Sequence, residues 1–265
     1  MTNNNFDGKV IVVTGASSGI GQRTAQMLIE QGAQVIALDR NEPTYPVYKY
    51  VNVDLVDPAS IDGALAAITD QKLDGLCNIA GLPGTGDVQT LWRVNYLAVC
   101  RLTEGLISRL VPGASIVNLA SMAGSLWKER EQLLWDLSQI KDWDEAEARI
   151  KAEPVMLDQA YRKFKEALIV WSMARAHDFK MKSDVRINCV SPGPVETPIL
   201  ADFRVSLGQQ NVDDIIQRTG RAATPDDIAP VILFLLSDAS RWVVGMDIKT
   251  DGGLTSSRFV SQMTQ

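Results

Sequence analysis

Short apolar runs rich in β-branched residues alternate with helix-length segments along this chain, and no other feature limits its fold as strongly. Strands that are apolar along their whole length are typical of parallel sheets covered on both faces, and right-handed crossovers wind such sheets in two directions. The strands predicted are Lys9–Thr14, Gln34–Asp39, Tyr48–Val53, Gly75–Ile79, Ser115–Leu119, Val185–Val190 and Met246–Thr250, and the helices are Ile20–Gln31, Pro58–Thr69, Thr90–Leu110, Ala160–Ala176 and Asp226–Leu236. We therefore expect one doubly wound α/β domain over residues 1–265, with about seven parallel strands and helices on both faces.

A segment of unusual length separates the fifth strand from the next long helix. Connections in such folds are mostly a few residues long, whereas residues 125–158 are charged but patterned. Leu133, Leu134, Leu137 and Ile140 fall at helical spacing, and Asp144–Lys151 is a good helix former. We expect a helical insertion here that serves as a substrate lid or an interface element, or is surface decoration.

Composition excludes several function classes. The formal charge is −6, from 26 basic and 32 acidic residues, and no basic run is present, so a nucleic-acid partner is not expected. The three cysteines are scattered and the chain has a single histidine, His177, so neither a metal site nor a Ser-His-Asp hydrolase is expected. The polar first residues and the lack of a long apolar run favour a cytoplasmic protein that does not bind membranes.

A glycine-rich loop at residues 14–21 joins the first strand to the first helix. Glycine lets a ligand approach the backbone closely, and a helix N-terminus offers free N–H groups and a positive dipole end to a pyrophosphate. Between a strand and a helix, this loop is typical of a Rossmann-type dinucleotide site, although a tight structural turn would have the same composition. The expected cradle is Gly15, Gly19 and Gly21, with Ser17, Ser18 and Ile20 beside it.

Asp39 ends the second strand, 24 positions after Gly15. An acid at this place can accept hydrogen bonds from the ribose hydroxyls of NAD and repels the 2′-phosphate of NADP. Arg40 follows and would soften that preference. NAD is therefore the expected cofactor and NADP the less favoured alternative.

Tyr161 and Lys165 lie four residues apart at the start of a predicted helix, which places them on one face. A free phenol titrates near pH ~10, and a neighbouring ammonium stabilises the phenolate and lowers its pKa. Ser121 follows the fifth strand, where a hydroxyl can donate to a substrate oxygen in the ligand crevice. The spacing alone is a common surface pattern, and its position in a dinucleotide fold is what indicates acid–base chemistry.

Taken together, these motifs resemble the short-chain dehydrogenase/reductase family over nearly the whole chain. The resemblance includes the T-G-x-x-x-G-x-G loop, Asn-Ile-Ala-Gly at 78–81, Y-x-x-x-K at 161–165 and Asp-Gly-Gly at 251–253. Ile79 stands where many members have asparagine. The resemblance implies a catalytic group of Asn95, Ser121, Tyr161 and Lys165, with Asn95 holding a water of a proton relay. It implies that the cofactor is bound by Gly15, Ser17, Ser18, Gly19, Ile20, Asp39, Arg40, Asp54, Leu55, Asn78, Ala80, Gly81, Tyr161, Lys165, Pro192, Gly193, Val195 and Thr197.

The 40 positions from Ser121 to Tyr161 exceed the dozen or so of most family members. They resemble the subgroup of 3α-hydroxysteroid dehydrogenase/carbonyl reductases and bacterial coniferyl alcohol dehydrogenases, and segments 75–84, 164–171 and 191–200 resemble the coniferyl branch. Apolar candidate pocket walls favour an apolar or aromatic alcohol or carbonyl substrate. These walls are Leu82, Pro83, Met122, the insertion, Met156 and Ile199–Leu207.

The resemblance leaves other functions to weigh. A non-catalytic NAD-binding regulator would lack Ser121, Tyr161 or Lys165, and an enoyl reductase of related fold has a wider Tyr-to-Lys spacing. Many family members are tetramers through the helices that hold Asn95 and Tyr161, next to the insertion. The resemblance therefore implies a homodimer or homotetramer, with the dimer favoured.

Overall fold

The computed structural model describes residues 6–68 and 71–264. Its seven strands form one sheet in which every neighbouring pair is parallel, in the order β3-β2-β1-β4-β5-β6-β7. The strands are β1 Val10–Thr14, β2 Gln34–Asp39, β3 Lys49–Asn52, β4 Leu73–Asn78, β5 Leu110–Leu119, β6 Arg186–Pro192 and β7 Asp247–Thr250. The doubly wound Rossmann-type sheet predicted from the sequence is confirmed.

Helices cover both faces of the sheet. They are α1 Gly19–Glu30, α2 Pro58–Ala67, α3 Val88–Trp92, α4 Ala98–Leu106, α5 Glu131–Gln139, α6 Trp143–Lys151, α7 Pro154–Leu157, α8 Ala160–Ser183, α9 Leu200–Leu207, α10 Gln209–Thr219, α11 Pro225–Leu236 and α12 Leu254–Met263. Alternate strand side chains enter two apolar layers, as the two-residue period of a strand requires. Leu76 and Ile116 face the layer of α4 and α8, while Cys77 and Val117 face the layer of α11.

Three predicted boundaries are wrong in informative ways. The long helix expected over Thr90–Leu110 ends at Leu106, and β5 begins at Leu110 rather than Ser115. The strand passes through Pro112 and Gly113, residues that normally interrupt one. Helix α8 continues to Ser183, beyond the expected end at Ala176. The predicted end of α2, Thr69, lies outside the described residues.

The insertion is helical, as expected, and consists of a 3₁₀ turn at Trp127–Arg130 followed by α5, α6 and α7. Leu134, Leu137 and Ile150 are buried in the same apolar layer as the face of α8. The Glu147 carboxylate of α6 accepts two hydrogen bonds of 3.0 Å from Arg93, which follows α3. The insertion is therefore bound to the body of the protein by both apolar and charged contacts.

In the described ranges, no helix is long and apolar enough to span a bilayer. Residues 6–68 and 71–264 likewise contain no group of three or more His, Cys, Asp or Glu side chains placed to hold a metal ion.

Candidate active site

A cavity of about 550 Å³ opens at the carboxyl edge of the sheet, where β1 and β4 lie side by side. The chain leaves these two strands in opposite directions, and ligands of doubly wound folds bind at such a switch point. Asp39 lines one end of the cavity and Phe203 lines the other. The cavity thus connects the glycine loop to the Tyr–Lys pair.

The glycine loop is shaped for close contact with a ligand. Gly15 has φ +71°, and a Cβ built on it would lie 2.9 Å from the Ala80 backbone. Ser18 precedes α1, but its side chain does not cap the helix, and the first turn holds no acidic residue. The free N–H groups and positive end of α1 therefore face the cavity and fit a pyrophosphate.

Two residues that the sequence analysis missed fix the shape of this loop. The Thr14 hydroxyl accepts hydrogen bonds from the backbone N–H groups of Ile79 and Ala80, at 2.9 and 3.1 Å. The Tyr45 hydroxyl donates to the Ala16 carbonyl at 2.6 Å. Thr14 lies inside the T-G motif, so its position in the loop is a signal that could have found it. Tyr45 follows β2 in an irregular segment and carries no such signal.

The Asp39 carboxylate is held in place by backbone groups. One oxygen accepts a hydrogen bond from Ser17 N–H and the other from Asn41 N–H, both at 3.0 Å. A carboxylate oxygen can accept more than one hydrogen bond, so Asp39 retains acceptor capacity toward the cavity. Arg40, Asp54 and Leu55 line the same end. This arrangement fits the adenosine half of a dinucleotide.

Nearly all the sequence-predicted cofactor residues line this one cavity. They are Gly15, Ser17, Ser18, Gly19, Ile20, Asp39, Arg40, Asp54, Leu55, Ala80, Gly81, Tyr161, Lys165, Pro192, Gly193, Val195 and Thr197. Asn78 does not join them. Its amide donates to Thr103 and Asn118, at 3.0 and 2.8 Å, and ties β4 to α4 and β5.

Ser121, Tyr161 and Lys165 meet where β5 ends against the first turns of α8. Lys165 Nζ donates to the Leu119 carbonyl at 2.6 Å and lies 5.9 Å from the centre of the Tyr161 ring. The Ser121 hydroxyl accepts a hydrogen bond from Ala123 N–H at 3.1 Å and lies near enough to Tyr161 to lower the pKa of its phenol. Because β5 and α8 both belong to the buried core, these three side chains have little freedom.

Burial controls the protonation of this pair. It raises the pKa of Tyr161 to about 12, against the opposing effect of the nearby Ser121 hydroxyl. It also lowers the pKa of Lys165 to about 8. The lowered Tyr161 pKa expected from the sequence is therefore not seen: removal from water raises it, and the opposing effect comes from Ser121 and not from Lys165. Burial therefore favours the protonated phenol of Tyr161.

Asn95 lies outside the cavity wall but beside the pair. It sits in a π-helical turn, Arg93–Leu97, and its amide exchanges two hydrogen bonds with the backbone of Leu82, at 2.8 and 2.9 Å. A Cβ built on Gly81 would lie 3.1 Å from Asn95 Oδ1 and 3.8 Å from Lys165 Nζ. Asn95 and Lys165 thus flank the same glycine.

The remaining wall differs from the expected one. Leu82, Met122 and Phe203 line the cavity as predicted, and the Phe203 ring packs edge-on against Tyr161 with centroids 5.0 Å apart. Pro83 and Met156 are buried elsewhere and do not line it. Helices α10 and α12, which the sequence analysis did not assign to the site, contribute Val212, Ile215 and Leu254.

The insertion does not form a lid. Of its residues 125–158, only Ser125 and Leu126 line the cavity, because α5, α6 and α7 pack against α8 and the π-helical turn. The helical period of the segment indicates which side is apolar, but not which surface of the protein that side covers.

Comparison with known proteins agrees with this geometry. Residues 9–130 match the family model described as short chain dehydrogenase, and residues 149–255 match the one described as Enoyl-(Acyl carrier protein) reductase. The chain is 47% identical over 249 residues to a coniferyl-alcohol dehydrogenase of Pseudomonas sp. (strain HR199 / DSM 7063), covering 94% of this chain and 97% of that protein. It is 29% identical over 259 residues to a 3-alpha-hydroxysteroid dehydrogenase/carbonyl reductase of Comamonas testosteroni, with 92% and 96% covered.

Solved structures give the same result. The 3-alpha-hydroxysteroid dehydrogenase from Pseudomonas sp. B-0831, crystallised with NADH, superimposes with a TM-score of 0.81. It is 27% identical, and the match covers 95% of this chain and 99% of that one. The shared sheet, the glycine loop, the Ser–Tyr–Lys group and these relatives lead to one conclusion: this chain is an enzyme of the short-chain dehydrogenase/reductase family.

Proposed function

We propose that this enzyme is an NAD-dependent dehydrogenase that interconverts an apolar or aromatic alcohol and its carbonyl compound. The observation that carries the proposal is the meeting of Ser121, Tyr161 and Lys165 within a cavity that begins at the phosphate-shaped glycine loop. A nicotinamide bound there would accept or donate the hydride. The residues of the protein then have to bind the substrate, orient it and exchange one proton with it.

The residues take these roles as follows. Ser121 orients the substrate oxygen, and Tyr161 exchanges a proton with it. During alcohol oxidation the O–H proton moves to Tyr161 as the carbinol C–H bond breaks and the carbonyl forms. During reduction Tyr161 donates that proton to the oxygen. Lys165 would bind the ribose of the cofactor, and while it is protonated its positive charge would favour the phenolate of Tyr161.

Proton exchange between this buried pair and solvent needs a path, since both side chains are less than 10% exposed. Asn95 would hold a water beside Lys165, as the family resemblance implies. The position of the Asn95 amide next to Gly81 and Lys165 supports this role. Because both polar ends of that amide already bond Leu82, it is fixed in orientation.

Asp39 supports NAD rather than NADP. Backbone hydrogen bonds from Ser17 and Asn41 fix its carboxylate at the adenosine end of the cavity. A fixed negative charge accepts hydrogen bonds from two ribose hydroxyls and repels a phosphate attached to one of them. Arg40 lies on the same wall, but the two backbone hydrogen bonds already fix the carboxylate of Asp39, the residue before it.

The substrate proposal rests on the cavity wall and on the relatives. Leu82, Met122, Phe203 and Leu254 give the inner end an apolar and aromatic surface. The coniferyl-alcohol dehydrogenase is also the relative with higher identity of the two reported above. We therefore favour a coniferyl-like cinnamyl alcohol over a 3α-hydroxysteroid. The complete Ser–Tyr–Lys set and its Y-x-x-x-K spacing speak against a silent regulator and against an enoyl reductase.

A panel of alcohols tests this function. Cinnamyl-type alcohols, hydroxysteroids and simple secondary alcohols would each be offered with NAD and with NADP while reduced cofactor is followed by absorbance. We expect the highest kcat/KM for a cinnamyl-type alcohol with NAD. Preferred turnover of hydroxysteroids would favour the alternative substrate, and no turnover of any alcohol with either cofactor would contradict the proposal.

We further propose that the enzyme is a homodimer rather than a tetramer. The insertion packs on α8 and on the turn that holds Asn95, and so covers the helices through which related enzymes form tetramers. Light scattering at micromolar concentration should give twice the mass of the chain, and a monomer or a tetramer would contradict this proposal.

A further inference from the structure

Two arginines on the cavity wall have no role in the proposed chemistry. Arg162 follows Tyr161 in α8, and Arg258 lies one turn beyond Leu254 in α12. Both line the cavity. In the part of the chain that the structure describes, neither guanidinium donates a hydrogen bond or forms an ion pair.

Helix contacts place Arg258 at the substrate end. The Thr255 hydroxyl lies 3.8 Å from the sulfur of Met122, the residue after Ser121. Residues four apart share a helix face, so Arg258 lies on the same side of α12 as Leu254, at the solvent-exposed edge of the cavity. Arg258 is therefore far along the wall from Asp39, and the two ends of the cavity differ in charge.

The distribution of charge along the cavity wall supports the binding of a ligand by these two arginines. The acidic side chains on the cavity wall, Asp39 and Asp54, are at the adenosine end. At the other end the charged wall residues are Arg162, Lys165 and Arg258, and Lys165 already donates to a backbone carbonyl. Arg162 is partly buried and Arg258 is exposed. Without an acidic partner on this wall, both guanidinium groups offer several donors and a positive charge to an oxygen-rich group.

We infer that Arg162 and Arg258 bind an electron-rich oxygen substituent at the end of the substrate remote from the reacting carbinol. This inference rests on the proposed dehydrogenase function and makes the substrate class narrower. The substituent is a phenol or phenolate oxygen, or a carboxylate, carried on an apolar ring. Leu82, Met122 and Phe203 would hold the ring while the arginines select its oxygenated end.

The test compares three alcohols that differ at that end: cinnamyl alcohol with a bare ring, coniferyl alcohol, and cinnamyl alcohol with a ring carboxylate. The variants are Arg162→Met and Arg258→Met. The control is Arg241→Met, which removes an exposed guanidinium outside the cavity wall. KM and kcat would be measured for each pair with NAD.

We expect Arg258→Met to raise KM for one or both oxygenated alcohols about tenfold, equivalent to about 1.4 kcal/mol. KM for cinnamyl alcohol and all kcat values should stay within about twofold, and the control should match the parent enzyme. Whether the phenol or the carboxylate is more affected identifies the substituent. Equal changes for all three alcohols, or none, would overturn the inference.

A binding measurement separates this inference from the proposed function. The shift in Tm produced by a ring-hydroxylated cinnamaldehyde, the kind of product that the proposed reaction forms, needs no turnover. A Tm shift that the parent protein shows and the arginine variants lose supports the inference even if no alcohol is oxidised. The lack of oxidation would then contradict only the proposed function. A shift kept in both arginine variants would overturn the inference.

Discussion

The ion pair between Arg130 and Glu166 joins the insertion to the catalytic helix, and its removal can be predicted quantitatively. Glu166 follows Lys165 and has a side chain only 1% exposed. Its two oxygens accept hydrogen bonds from Arg130 Nε and Nη2 at 2.7 and 2.8 Å. This carboxylate in turn raises the pKa of Arg130. The nearest other cation, Lys163, is 4.0 Å away.

Arg130→Met would leave the Glu166 carboxylate buried without its bidentate partner. Breaking one side of a buried pair costs about 3–5 kcal/mol of unfolding free energy, because the remaining charge stays desolvated. At roughly 2–4 °C per kcal/mol for a chain of this size, Tm should fall on the order of 10 °C. The double variant Arg130→Met/Glu166→Met should recover most of this loss, since no charge is then buried.

Urea or thermal unfolding followed by circular dichroism measures these effects, and the double-mutant cycle gives the coupling energy. The control is Lys182→Met in the same helix, which removes an ion pair to Asp178 whose side chains are 73% and 58% exposed. That control should cost less than about 1 kcal/mol. A loss below about 1 kcal/mol in Arg130→Met, or a double variant equal to the sum of the two single changes, would refute the reasoning.

Three further predictions concern the cavity. Lys165→Met should abolish turnover yet stabilise the fold by up to about 3 kcal/mol at pH 7, since burial lowers the pKa of Lys165 from 10.5 to about 8. Between those two pH values the unfolded state binds more protons than the folded state, so the parent's free energy of unfolding should rise with pH from about 8 to about 10.5. If Lys165→Met kept this rise, the rise would not come from Lys165. Asp39→Asn should lower kcat/KM with NAD about 10–100-fold and raise the ratio of kcat/KM with NADP to kcat/KM with NAD. An unchanged ratio would argue against a role of Asp39 in cofactor choice. Deuterium uptake over residues 199–220 should fall when NAD and alcohol are added, whereas uptake in β5 stays constant; unchanged uptake over 199–220 would show that the segment does not close on ligand.

Much of the fold was predictable because local sequence and tertiary structure agree in the strands. Apolar runs such as Gln34–Asp39 are buried in the middle of the sheet, so burial pattern and β propensity give the same answer. Pro112 and Gly113 had the opposite effect, since they hide the first half of β5. The π-helical turn around Asn95 also has no local signal, because it adds a residue to a helix whose apolar period continues.

The site was predictable where a motif fixes the backbone. The glycine loop needs φ > 0 at Gly15 and leaves no room for a Cβ beside the Ala80 backbone, and only glycine meets both conditions without strain. The path of the insertion was not predictable, because it depends on which surface of α8 its apolar side covers. Asn78 follows the same logic. Its motif position suggested a cofactor contact, but partners on α4 and β5, distant in sequence, hold its side chain.

The central claim is that Tyr161 exchanges the proton of the reacting alcohol. It is tested most directly by the pH profile of coniferyl alcohol oxidation by the parent enzyme, Tyr161→Phe and Tyr48→Phe, a tyrosine that is 52% exposed and outside the cavity wall. Because burial raises the pKa of Tyr161 to about 12, oxidation, which needs the phenolate, should speed up as pH rises, whereas carbonyl reduction, which needs the phenol, should stay level until the pH approaches that value. Tyr161→Phe should lose roughly 10²–10⁴-fold in kcat and the pH dependence with it, while NAD affinity changes little. Tyr48→Phe should behave as the parent does. Oxidation by Tyr161→Phe at the parental rate, with the parental pH profile, would contradict the mechanism.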